Sequence, residues 1–114
     1  VYTPTKTAKY EKQIAKAYTE SGGKCIPADC YVSVTVSAFF PVPKSYSKKK
    51  REDCLERILR PDKKPDMDNI LKVVLDGLNR VAYEDDKQVI ELIGRKYYTE
   101  SDGYLWVSVR EVKV

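Results

Sequence analysis

Between Lys64 and Val89 the chain reads KPDMDNILKVVLDGLNRVAYEDDKQV, and this stretch holds the residues best placed to do chemistry. Asp66 and Asp68 stand just ahead of an apolar run, and Glu84, Asp85 and Asp86 follow it. Carboxylates brought together around one lysine, Lys72, would repel one another, and some would take up protons unless a cation sat among them. Every candidate ligand is an oxygen and the chain has no histidine. A hard divalent ion, Mg²⁺ or Mn²⁺, therefore suits the set better than zinc. A calcium EF-hand loop is excluded, because counting from Asp62 or Asp66 neither the glycine at position 6 nor the glutamate at position 12 is present. The same acidic residues also suit simple helix capping, dipole compensation and an ordinary turn at Asp85-Asp86.

A helix has to position this set. Ile70, Leu71, Val74, Leu75 and Leu78 recur on one face, with Asn69, Lys72, Asp76 and Asn79 on the other. Pro65 bars a helix entering from upstream, and Asp68 is the expected N-cap. Gly77 costs such a helix about 1 kcal/mol relative to alanine. From Asp68 to Arg80 the helix is roughly 18 Å long. Residues 81–86, if extended, span about 20 Å. The later acidic cluster thus just reaches back to Asp66 and Asp68, or lies near the same end in a partner subunit.

The pattern P-D-x-D-N, a lysine three residues on at Lys72, an aspartate four further at Asp76, then D-D-x-Q-V, resembles the RusA family of crossover-junction endodeoxyribonucleases. These are small phage- and prophage-associated Holliday junction resolvases. Tyr2-Thr3-Pro4, Lys6-Thr7 and Tyr10-Glu11 resemble that family's opening segment. The resemblance implies that Asp66, Asp68 and Asp86 are metal-binding catalytic carboxylates, that Lys72 is an essential lysine, and that the protein is a homodimer. It implies a Mg²⁺-dependent enzyme (Mn²⁺ substituting) that resolves four-way DNA junctions by paired nicks during recombination and repair. Family members have a preceding strand and an arginine-containing segment that this sequence lacks. In another reading, the domain binds branched or single-stranded DNA without cutting it and its acidic residues are structural.

At 114 residues, 42% hydrophobic and 33% charged, the sequence fits one globular domain with a modest core. It has no apolar run of membrane-spanning length and no visible secretory signal. Cys25, Cys30 and Cys54 form an odd set without a C-x-x-C pair, read as reduced thiols in a cytoplasmic protein. The net charge is +4, and its distribution is uneven. Acidic residues gather between 52 and 91, whereas Lys44, Lys48, Lys49, Lys50 and Arg51 form a basic run, and Lys6, Lys9, Lys12 and Lys16 recur near the start. A polyanion gripped by the basic parts would be presented to the acidic site. Lys48, Lys49 and Lys50, in a loop containing Tyr46, and Lys63 and Lys64, just before the carboxylates, are the expected DNA contacts. A mobile surface loop accounts equally well for residues 44–50, and a solvated helix surface is the better reading of the lysines near the start.

The remaining elements follow from periodicity. Residues 5–20 read as a helix with Ala8, Ile14, Ala15, Ala17 and Tyr18 on its apolar side, ended by Ser21-Gly22-Gly23. Residues 30–40 alternate as a strand that places Val32, Val34 and Val36 on one face. Ser47 is the expected cap of a helix from about Lys48 to Leu59, burying Cys54, Leu55, Ile58 and Leu59. Two strands, 88–99 and 104–114, joined at Ser101-Asp102-Gly103, are predicted to form a hairpin, with Val89, Leu92 and Ile93 as core contacts. The fold class is α/β (α+β), a small mixed sheet with packed helices. A crossover between parallel strands in it is expected to be right-handed.

Overall fold

A computed structural model describes the backbone of residues 4–113 and the side chains of residues 10–113. Among these residues the order is α1 (Pro4–Glu20), β1 (Tyr31–Pro41), α2 (Lys48–Leu55), α3 (Met67–Leu78), a short 3-10 turn (Asp86–Gln88), β2 (Val89–Thr99) and β3 (Tyr104–Val112). The architecture is α+β, with three helices and a three-stranded mixed sheet.

The alternation in β1 puts Val32, Val34, Val36 and Ala38 on one face, all fully buried. They meet Ile70, Val74 and Leu78 of α3, with Ala82 and Tyr83 closing the cluster and Ile14 and Tyr18 of α1 packed against it. Two glycines let the layers approach. A Cβ on Gly77 would lie 2.9 Å from the Glu11 carbonyl oxygen and 3.2 Å from Ile14 Cβ, so α1 rests directly on the α3 backbone there. A Cβ on Gly94 would meet Met67 Sδ at 2.6 Å and Leu71, which sets the start of α3 over the middle of β2. A groove of about 780 Å³ runs between α1 and β3; its lining includes Pro65 but none of the candidate carboxylates.

The predicted hairpin does not form. The strand order is β2-β1-β3, so β1 lies between the two later strands, parallel to β2 and antiparallel to β3. A long strand of small and β-branched residues satisfies its backbone on both edges by taking the centre. The 100–103 loop crosses over the end of β1, and Gly103 packs on the Phe39 carbonyl. Leu92 and Ile93 are consequently exposed instead of core, whereas Val89 packs on the cluster as expected.

Helix α2 also ends earlier than its periodicity suggests. Ser47 caps it as predicted, its hydroxyl accepting from the Lys50 N–H at 3.2 Å. The helix stops at Leu55 because Arg57 takes a left-handed conformation, φ 68°, and Ile58 is left exposed while Cys54 stays buried. At the other end of the chain, Ser21 and Gly23 return hydrogen bonds to Ala17 and Tyr18 and close α1. Ala8, Lys6 and Lys9 have side chains outside the described residues, as do Tyr2 and Thr3. No described helix is long and apolar enough to cross a membrane.

Candidate active site

Helix α3 begins two residues earlier than expected: Asp66, not Asp68, is the N-cap residue, with extended φ −65° and ψ 152°. Either aspartate suits a cap, and the backbone geometry after Pro65, whose bond to Lys64 is cis, selects the first. The Asp66 carboxylate makes no capping hydrogen bond. Its backbone carbonyl accepts from the Ile70 N–H at 3.1 Å, so the helix is held at this position by main chain alone. Asp68, in the first turn, accepts only the neighbouring Asn69 N–H, at 3.0 Å. Both side chains are exposed at the positive end of the helix, where negative charge is favoured. Lys72, also exposed, lies one turn from Asp68 and one turn from Asp76. The ion pairs among the described residues, Lys16–Glu20, Lys49–Asp53 and Arg110–Glu91, involve none of these groups.

The later acidic cluster is built in another way. Asp85 caps the 3-10 turn, its carboxylate accepting from the Lys87 N–H at 3.0 Å. That backbone hydrogen bond is the main reason its carboxyl is held below the usual aspartate range. Gln88 is buried and fully bonded: its carbonyl oxygen accepts from the Glu84 and Asp85 N–H groups, and its amide donates to the carbonyls of Pro27 and Cys30. Glu84 ties the same loop to the Ala28 N–H at 2.6 Å. Gln88 therefore fixes the turn that carries Asp86 to the loop ahead of β1. Sequence reading held Gln88 in the D-D-x-Q-V pattern but missed this anchoring role, because its partners lie some 60 residues upstream.

Tyr83, completely buried, donates to the Leu75 carbonyl at 2.9 Å, and burial together with Asp86 and then Asp76 raises its phenol pKa. Within one subunit Asp86 does not form a group of three with Asp66 and Asp68. Among the described residues no three acidic, histidine or cysteine side chains come together to hold an ion. One subunit offers the Asp66–Asp68 pair. Two exposed carboxylates that take only the local Asn69 N–H from the protein fit a hard divalent ion that retains waters and is bound through one or two carboxylates.

The expected basic contacts lie on α2 and on the loop before Pro65. Lys48, Lys49 and Lys50 occupy the first turn of α2; Lys49 is engaged by Asp53 at 3.2 Å, and the Lys50 ammonium sits 4.0 Å over the Tyr46 ring. Lysines at the positive end of a helix dipole are unfavourable for the isolated helix and favourable beside an anion. Lys63 and Lys64 are exposed on the loop before Pro65. That loop is strapped to β2, with Lys96 Nζ donating to the Lys63 carbonyl at 2.8 Å and Arg60 Nε donating to the Lys96 carbonyl at 2.6 Å.

Residues 1–110 of this chain are matched by the family model "Endodeoxyribonuclease RusA". The chain belongs to the RusA endodeoxyribonuclease family. Among curated proteins it is similar to the uncharacterized protein YqaN of Bacillus subtilis (strain 168), with 46% identity over 83 residues. The match covers 71% of this chain and 58% of YqaN, so the chain spans less than two thirds of that relative. No solved structure matches the chain.

Proposed function

We propose that the chain is the nuclease domain of a divalent-metal-dependent endodeoxyribonuclease that cuts four-way DNA junctions by paired nicks, acts as a homodimer and works in the cytoplasm. The observation that carries this reading is the Asp66–Asp68 pair. Within a segment matched to a DNA endonuclease family, it is left without a cap bond or ion pair at the start of α3. Asp66 and Asp68 would hold Mg²⁺, or Mn²⁺ in its place, and Asp86 would reach the same ion from the partner subunit. When bound, such an ion supplies an activated water and charge neutralisation on the phosphate. Lys72, free of its neighbouring aspartates, binds the scissile phosphate or steadies a carboxylate from one helical turn away. Lys63 and Lys64 hold the backbone on the approach to the carboxylates, and Lys48 and Lys50 hold it further out. A two-fold dimer provides the symmetry that paired nicks require.

The lack of a three-ligand group among the described residues of one subunit favours a second reading, a branched-DNA-binding protein that does not cut. Nicking of a labelled four-way junction and a linear duplex, with and without Mg²⁺, separates the two. The nuclease requires Mg²⁺ to nick the junction, and Asp68→Asn keeps binding but loses cleavage. Binding that is indifferent to EDTA, with no nick in any lane, would leave the binding protein as the answer.

A further inference from the structure

The two faces of the sheet differ in what covers them. The face carrying Val34, Val36 and Gly94 receives the helices, whereas the opposite face exposes Ile93, Tyr104 and Trp106, the last two each 52% accessible. Across that open face one row of the register aligns Tyr97 of β2, Phe39 of β1 and Tyr104 of β3. Their rings are stacked, with centroids 5.3 Å apart between Tyr97 and Phe39 and 4.5 Å between Phe39 and Tyr104. At the β2 end the ladder is closed by two guanidinium groups, Arg57 and Arg60, each 4.2 Å from the Tyr97 ring centre. At the other end β3 is the edge strand, so the stack stops at an exposed tyrosine ring. Trp106 stands in the next row, which pairs Arg95 with Ser37 and Ser37 with Trp106.

We propose that this open face is a stacking platform for unpaired DNA bases, which continue the aromatic ladder at Tyr104 and Trp106 while Arg57, Arg60 and Arg95 take the phosphates. The inference rests on the reading of the chain as a protein of branched DNA, whose junctions and forks offer unpaired bases. Charge selects this occupant. Arg57, Arg60, Arg95 and Arg110 serve the face against one glutamate, Glu91, which Arg110 already pairs at 3.6 Å. A second copy laid on the same face about a two-fold axis would bring like charges together. Aromatic rings interleaved with arginine accept any base by stacking and cation–π attraction. Arg57 adds an independent sign, because it occupies a left-handed position, φ 68°, that glycine takes with less strain. The residues from Arg57 to Asp66, with Arg60, Lys63 and Lys64 outnumbering Asp62, then lead from the ladder around the β2 edge to the paired aspartates.

The test is fluorescence anisotropy with a labelled oligothymidine strand, a linear duplex and a fully paired four-way junction. The proteins are the wild type and its Tyr104→Leu, Trp106→Ala, Arg57→Gly and Asp68→Asn variants, each checked for folding by circular dichroism. Tyr104→Leu keeps apolar volume and removes the ring, so it survives even if alanine there does not fold. The platform predicts that Tyr104→Leu and Trp106→Ala each weaken oligothymidine binding at least about fivefold, with less than about a twofold change on duplex. Arg57→Gly weakens it in the same direction without loss of stability, and Asp68→Asn leaves it unchanged. Oligothymidine that is not bound, or is bound equally by all variants, overturns the platform. So does a fall in molar mass of the Tyr104 and Trp106 variants in sedimentation, which would assign the face to a second copy. Junction nicking run on the same proteins keeps the two readings apart: intact nicking with unchanged oligothymidine binding sinks the platform alone. Absent nicking with the fivefold loss sinks the nuclease alone.

Discussion

Two acidic stations lie along α3, and they are built on opposite terms. At its start, Asp66 occupies the cap position without using its carboxylate as a cap, and Asp68 accepts a single local N–H. Beside its later part, Asp85 is spent on the Lys87 N–H and Gln88 holds the whole turn with four hydrogen bonds. A carboxylate that satisfies the protein's own backbone holds the fold. One left exposed at a helix N-terminus, where capping would have been easy, is available to something outside the chain. The comparison separates Asp85 from Asp66 and Asp68, although all three look alike in the sequence.

The sharpest way to break the comparison is to neutralise one carboxylate at each station. Asp68→Asn should lower junction nicking by at least about 100-fold, the several kcal/mol expected of a metal ligand. Its urea midpoint should stay near wild type. A matching loss of stability would make Asp68 a fold residue after all. Next in size is Gln88→Leu, which strands the part-buried Glu84 and Asp85 N–H groups and the Pro27 and Cys30 carbonyls. It should cost about 3 kcal/mol in equilibrium denaturation, several polar groups being left without partners. Gly77→Ala tests the helix that carries the first station. Alanine favours a helix, but here its Cβ would press on the Glu11 backbone. The expected outcome is a net loss of about 1–2 kcal/mol, because the neighbour that must yield is main chain.

How much of this was legible depended on whether the cause was local. The α3 periodicity and the β1 alternation are local, and both appear in the fold where they were expected. The hairpin misled because Ser101-Asp102-Gly103 carries the same turn chemistry whether the flanking strands pair or straddle a third. Only the competition for β1 decides between those outcomes. The apolar spacing of Ile58 and Leu59 continued the α2 pattern past a helix end that Arg57 sets by its backbone conformation. At the site, the residue types and order were readable and left open whether Asp86 folds back to Asp66 and Asp68 within one subunit or stays apart; among the described residues they form no group of three. The position of Asp86 follows from Gln88 anchoring the turn to Pro27 and Cys30, a contact no spacing rule encodes.

The smallest effect is a pH dependence confined to the structural station. The Lys87 N–H lowers the Asp85 carboxyl below its value in an unfolded chain, about 3.9. A depressed acid contributes stability above the unfolded value and loses it as pH falls through the folded one. Urea midpoints followed down from about pH 5 should therefore drop in wild type and drop less in Asp85→Asn. An unchanged acid slope in the variant would mean that the cap bond contributes nothing to the fold.

The placement of β1 also dictates when the protein becomes a protein. Its strand is complete by Pro41, yet Phe39 waits for Tyr97 and Val34 for Val109, partners that arrive about 60 to 75 residues later. On the ribosome the central strand must emerge, with its apolar face uncovered, well before either edge exists to pair with it. Contacts so distant along the chain slow the search for the native sheet and leave an unpaired strand open to other chains meanwhile. Helix α1, made first, and α3, made before β2, are the elements in place to shelter that face during the wait.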